Sequence, residues 1–308
     1  MTPRQPLPAW AHRLLVEQEG VITASQLLAS GLTRRVCARV TSQWTRLAPG
    51  LYLTETPSFE SATWAAVLHG GPCSVLGSTA SLYLNAVLRD APDEVVIWVP
   101  GGRRTIKVGK WLIRPRRGVR PSRGSPPRLP VEEGLLDLAR DSSVVGTMDA
   151  IARGFARSLT TPERVVAALD AQGRVRYGAE IRQMCSASAS GIESGLEWLF
   201  ARDVIGAHRL PIPSRQARSD EGRMDCHFDG YRVIAELDGM RDHGDWSKDM
   251  LRDNAHALRL GVVTLRYGWH AVLRRPCLVA GQVADALTLR GWSGSARRCR
   301  RCHPASTV

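Results

Sequence analysis

Arg223 to Gly239 reads RMDCHFDGYRVIAELDG, two alternating runs flanking Asp229-Gly230. Asp-Gly is a favoured two-residue hairpin turn. Pairing Phe228 with Tyr231 sets Cys226 opposite Val233 and Met224 opposite Ala235, with Leu237 continuing that side. This face is apolar and buries. The other carries Arg223, Asp225, His227, Ile234, Glu236 and Asp238. In that register Asp225 faces Ile234, and Glu236 is its diagonal neighbour, about 7–8 Å away between backbones. Carboxylates gathered on a buried face repel one another unless a cation neutralises them. Mg2+ (or Mn2+), which takes oxygen ligands of this kind, is therefore the expected cofactor. Alternation alone also describes a sheet with one wet face. Val233–Leu237, VIAEL, is nearly continuous apolar sequence, however, and predicts burial on both sides with Glu236 set into it.

The flanks extend the pattern. Upstream, IESGLEWLFARDV (192–204) predicts a helix with Glu193 and Glu197 one turn apart on one face. Downstream come His243, a helix over KDMLRDNAHALRLG (248–261), a strand over VVTLRYG (262–268) and a last helix over CLVAGQVADALTLRGW (277–292). Another strand is expected near Leu210. The order is then helix, strands, helix, strand and helix, an α/β core.

The N-terminal segment predicts three short helices and a small hairpin. Thr23 with Gln26 forms a capping-box pattern, Gly20 and Gly31 stop helices, and Thr33 caps a third helix carrying Arg34, Arg35 and Arg39. Pro49-Gly50 turns the chain between two extended pieces, the first containing Arg46. Three helices and a hairpin describe a winged helix-turn-helix, whose last helix enters the DNA major groove. The four arginines are the expected DNA contacts. An exposed arginine face on a plain three-helix cap would read the same way.

The 308-residue chain carries a formal net charge of +13, which fits a polyanion partner. Ten Lys or Arg and no acid fall between Arg103 and Arg128, in a Pro/Gly/Ser-rich stretch that reads as a phosphate-contacting surface or a solvated loop. No apolar run reaches the roughly 20 residues of a membrane span, and no signal peptide is seen, so the cytoplasm is the expected location. The seven cysteines are odd in number and dispersed. Cys299–His303, CRRCH, has haem-attachment spacing by itself, and no further zinc ligands lie near it in sequence, so neither group is expected there.

The expected class is α+β and multidomain: a winged helix-turn-helix over 1–57, an α+β middle region over 58–190 with its basic loop at 103–128, an endonuclease-like domain over 191–292, and a disordered basic tail over 293–308.

Taken together, ESGLE (193–197), RMD (223–225), ELDG (236–239), His243, Asp249 with LRD (251–253) and LGVVTLRYGW (260–269) resemble the PD-(D/E)xK nuclease core. More closely, they resemble a domain family related to the very-short-patch-repair endonuclease. The resemblance covers about the last third of the chain. It implies Asp225 as the metal-binding Asp of the first core strand, Glu236 as the acid of the second, Glu197 as the helical Glu, and His243 as proton donor or water-positioning group. The usual Lys is replaced by Asp238, which on this resemblance orients His243 or binds metal. GVITASQLLASGL (20–32) followed by RLAPGLYLT (46–54) is similar to the winged-helix domain of AbiEi-family antitoxins, which act as transcriptional repressors in toxin–antitoxin systems. That likeness implies DNA, and a cognate toxin, as partners. Two functions follow as expectations: a Mg2+-dependent endonuclease aimed by a winged helix, and an antitoxin-like regulator whose nuclease-like domain does not cut.

Overall fold

The computed structural model describes residues 7–188, 195–219, 222–238 and 261–302. The chain is α+β and divides into two compact units, one of residues 1–142 and 157–176, the other of 143–156 and 177–308. The boundary expected at residue 57 is not a boundary between units, and the one expected at 190 lies earlier, with an additional helix contributed from 143–156. Among the described residues no helix is long and apolar enough to cross a membrane.

The first unit opens with α1 (Ala9–Glu17), β1 (Val21–Thr23), α2 (Ala24–Ala29), α3 (Arg34–Thr41), β2 (Thr45–Ala48) and β3 (Leu51–Leu53). The caps form as their spacing predicts. Thr23 Oγ1 accepts the Gln26 N–H at 3.1 Å while Gln26 Oε1 accepts the Thr23 N–H at 2.9 Å. Thr33 Oγ1 accepts the Val36 N–H at 3.3 Å. Gly50, at φ +74°, closes the turn between β2 and β3, a conformation that favours glycine. The strands make an antiparallel sheet in the order β1-β3-β2. Ala11, Ile22, Leu27, Leu32 and Cys37 form a core beneath the three helices.

The absence of a break at residue 57 has a packing cause. Val21, Leu51 and Leu53 of the small sheet share one buried cluster with Ala62, Ala65 and Ala66 of α4 (Phe59–Gly70). Ile97 and Ile113 of the next sheet belong to that same cluster. This second sheet contains β4 (Val75–Leu76), β5 (Glu94–Val99), β6 (Ile106–Val108) and β7 (Trp111–Arg117) in the order β4-β5-β7-β6, with α5 (Ser78–Leu84) between β4 and β5 in sequence. The helices that follow are α6 (Val131–Asp141), α7 (Val144–Ala156), which belongs to the second unit, and α8 (Pro162–Gln172), which belongs to the first.

Asp137 on α6 ties the first unit together. It is 5% exposed, and its Oδ2 accepts hydrogen bonds from Trp98 Nε1 and from the Ser78 N–H, both at 2.9 Å. Arg140 and Arg116 lie 3.5 and 3.8 Å from its other oxygen. Burial raises its pKa, which these contacts oppose. Asp137→Ala leaves the indole and the amide without their acceptor and is expected to destabilise this unit by about 3 kcal/mol, measured by urea denaturation.

The second unit contains α7, α9 (Gly178–Ser188), α10 (Gly195–Leu199) running into a π-helical segment Phe200–Gly206, then β8 (Ser214–Ser219), β9 (Gly222–Phe228), β10 (Val233–Asp238), β11 (Val263–Gly268), α11 (Trp269–Arg274) and α12 (Pro276–Leu289). Its sheet has the order β11-β10-β9-β8. Strands β8, β9 and β10 run antiparallel in succession, and β11 joins β10 in parallel. The strand expected near Leu210 is β8.

Candidate functional site

The hairpin forms, but not in the expected register. Val233 pairs with Phe228, Ile234 with His227 and Ala235 with Cys226. The ladder between the two strands ends at the Ala235–Cys226 pair, and Asp225 and Glu236 are the next residue on each strand. The turn takes four residues, Asp229 to Arg232, in place of two. Ser214 Oγ donates to Asp229 Oδ2, and His227 Nδ1 stands 2.8 Å from Asp229 Oδ1, which holds Asp229 outside the ladder. The Arg232 carbonyl accepts the Val263 N–H at 2.9 Å, so Arg232 serves β11. A shift of two residues preserves every side chain's face. Met224, Cys226, Phe228, Val233, Ala235 and Leu237 are all buried, as the alternation predicts. The opposite face is buried as well, with Ile234 0% and Glu236 5% exposed.

Asp225 is half-buried, and its Oδ2 accepts the Leu237 N–H at 2.9 Å, just past the last ladder pair. That bond fixes the carboxylate against the backbone flanking Glu236. On the other side of Glu236, the parallel register places Arg266. Glu236 and Arg266 are thus side by side on one face of the sheet. Sequence reasoning missed Arg266, although its alternation with Leu265 and Tyr267 along β11 put it on a defined side.

Glu197 lies on α10, whose continuation packs on β11. Phe200, one turn further along the helix, stacks on Tyr267 with ring centroids 6.2 Å apart. Tyr267 pairs with Leu237, so it lies on the Cys226 face. Glu197 is itself buried. The Cys226 thiol senses all three carboxylates: burial pushes its pKa up first, Arg215 opposes, and Asp225, Glu197 and Glu236 push it further up. Asp225, Glu197 and Glu236 thus all act on the same buried thiol.

The position of Glu197 depends on α7. Asp149 Oδ1 accepts the N–H of Gly195, the first residue of α10, at 2.9 Å. A Cβ on Gly195 would stand 2.7 Å from that oxygen and 3.0 Å from the Asp149 backbone nitrogen. Gly195→Ala is therefore expected to push α10 off α7 and destabilise the second unit by about 1–3 kcal/mol, read from its thermal denaturation. Asp149→Asn, which keeps an acceptor oxygen, should cost less.

Asp238 ends β10, paired with Gly268. Its side chain, together with Glu193, His243, Asp249 and Arg252, lies outside the described part of the molecule. Arg34, Arg35 and Arg39 are exposed on α3, and Arg46 is exposed on β2. The 103–128 segment is more engaged than a solvated loop would be. Arg114 pairs with Glu94, Arg116 with Asp141 and Lys110 with Asp93. Arg120 stacks 4.2 Å from the Trp98 ring, and Arg103 donates to the His69 carbonyl. Lys107, Arg117 and Arg123 remain exposed.

The expectation for the C-terminal tail is corrected. Residues 293–302 belong to the described structure, and the Arg297 N–H donates to the His208 carbonyl at 2.8 Å. His208, Cys277, Cys299 and Cys302 bring their ligand atoms within 4.8 Å of one another. Two of the four lie far away in sequence, where spacing could not reveal them.

The second unit also has a cleft of about 560 Å³ whose lining, among the described residues, includes Arg266, Arg274 and Arg275. No protein-family model and no curated protein matches the chain.

Proposed function

We propose that the protein is a DNA-binding, cation-dependent phosphodiesterase, with Asp225 and Glu236 as the ligands of a hard divalent cation. The hydrogen bond from the Leu237 N–H to Asp225 Oδ2, which ties Asp225 to the backbone next to the buried Glu236, carries the proposal. The carboxylate oxygens are hard donors suited to Mg2+ or Mn2+. When bound, such an ion polarises a phosphoryl oxygen and lowers the pKa of a coordinated water.

The chain's own residues do the rest. Asp225 is oriented by the Leu237 N–H, so its carboxylate meets a ligand at little entropic cost. Glu236 is buried and paired in register with Arg266. Arg266, Arg274 and Arg275 present positive charge to a phosphate from the neighbouring cleft. His243, with Asp238, is proposed as the proton-transfer group that the resemblance implies. The N-terminal helices and small sheet are proposed as a winged helix-turn-helix, with Arg34, Arg35, Arg39 and Arg46 on DNA phosphates or base edges.

A second proposal is an antitoxin-like regulator that binds DNA without cutting it and acts with a cognate toxin. The placement of Arg266 beside Glu236 favours it, because a guanidinium can neutralise a carboxylate in place of a metal. Calorimetric titration of Mn2+ separates the two. Saturable binding by the wild-type chain, weakened at least about tenfold in Asp225→Asn, is expected of the phosphodiesterase. Equal binding by the two proteins leaves the regulator.

A further inference from the structure

We propose that His208, Cys277, Cys299 and Cys302 form a structural zinc site that staples the C-terminal tail to the second unit. The site is independent of the carboxylate pair and of the function proposed for it. Its ligands come from three places. His208 follows the π-helical segment, Cys277 lies in the first turn of α12, and Cys299 and Cys302 form a Cys-x-x-Cys pair in the tail.

The spacing is that of a tetrahedral site. With Zn–S bonds of about 2.3 Å and a Zn–N bond of about 2.0–2.1 Å, the edges of a tetrahedron are about 3.8 Å between sulfurs and about 3.6 Å from sulfur to nitrogen. Cys277 Sγ and Cys299 Sγ are 3.6 Å apart, and Cys299 Sγ and Cys302 Sγ are 3.8 Å apart. Cys302 Sγ is 3.6 Å from His208 Nε2. These sulfur separations are far beyond the roughly 2.05 Å of a disulfide.

The surroundings prepare the ligands. His208 is fully buried, and its Nδ1 lies 3.1 Å from the Val204 carbonyl. With Nδ1–H donating to that carbonyl, Nε2 is left as the metal-facing nitrogen. The Arg301 N–H points at Cys299 Sγ and the Cys299 N–H at Cys302 Sγ, both at 3.3 Å, which stabilises negative charge on sulfur.

Binding Zn2+ forms three Zn–S bonds and one Zn–N bond and releases the thiol protons to solvent. Three thiolates and one Zn2+ leave one net negative charge. Arg209, Arg297, Arg298, Arg300 and Arg301 line the adjoining cleft of about 500 Å³ and offset that charge. Four protein ligands leave no open position, so the role is structural rather than catalytic. A pair of zinc-bound tail cysteines also explains why an arginine-rich C-terminus lies against Asp203, whose carboxylate is 3.1 Å from Arg301.

The test uses the full-length chain, produced in zinc-supplemented medium and purified without chelators. Elemental analysis should find one zinc per chain. Replacement by Co2+ should give an intense thiolate-to-cobalt charge-transfer band. Zinc content should fall to background in Cys299→Ser/Cys302→Ser and stay at one in Cys73→Ser, whose cysteine is exposed elsewhere. Chelation should speed tryptic cleavage of the tail about tenfold. Should the double variant fail to fold, the cobalt spectrum of the wild-type chain decides alone. Absence of zinc together with absence of a thiolate–cobalt band overturns the site. So does zinc retained in the folded double variant, iron in place of zinc, or a Cys277–Cys299 disulfide found by mass spectrometry in metal-free protein.

Discussion

Asp225→Ala and Glu236→Ala are each expected to lower cation-dependent DNA cleavage by at least about 100-fold, measured under single-turnover conditions on a duplex substrate. Each removes one of the two proposed oxygen ligands. Folding and catalysis are separable here. Asp225→Ala also deprives the Leu237 N–H of its acceptor, so a loss of about 1–3 kcal/mol of stability should accompany it. Asp225→Asn keeps an acceptor while weakening metal ligation, and should lose cleavage with a smaller loss of stability. Glu236 is buried beside Arg266, so Glu236→Gln is the gentler companion of Glu236→Ala. DNA affinity without cation should not fall in any of these variants, because each removes negative charge from a basic chain.

The second large effect is on DNA affinity. Replacing Arg34, Arg35 and Arg39 together by alanine is expected to weaken DNA binding by about ten- to a hundredfold near physiological salt. For every phosphate no longer neutralised, the slope of log K against log salt should flatten by about 0.9. All three side chains are exposed on one short helix capped by Thr33, so the substitution should leave the fold intact. Arg114→Ala and Arg116→Ala are the matched controls. Those arginines meet Glu94 and Asp141, and their loss should change DNA affinity less. An unchanged affinity in the triple variant would remove α3 from the DNA interface.

The contrast between these two sets of arginines shows what a one-dimensional reading can see. The stretch 103–128 contains no acid, so it reads as unneutralised charge. Its partners Asp93, Glu94 and Asp141 lie outside that stretch and arrive only through the sheet and α6. The helix caps at Thr23 and Thr33 were legible because their bonds span three residues. The buried face of the hairpin was legible because side-chain direction depends only on a period of two. Its register was not, since the turn length is set by Ser214 and by Val263, both remote in sequence from Asp229-Gly230. The Cys-x-x-Cys of the tail was visible, but its two remaining ligands are 22 and 94 residues away from their tail partners.

The most direct measurement is nicking of supercoiled plasmid by the purified full-length chain, with Mg2+ or Mn2+ and with chelator, alongside Asp225→Asn. The proposed carboxylate ligands predict open-circular product that appears only with the cation and is lost in the variant. Protein that binds the plasmid and leaves it supercoiled with either cation, or that nicks it equally well when Asp225 is replaced, would contradict a cation-dependent phosphodiesterase built on Asp225 and Glu236.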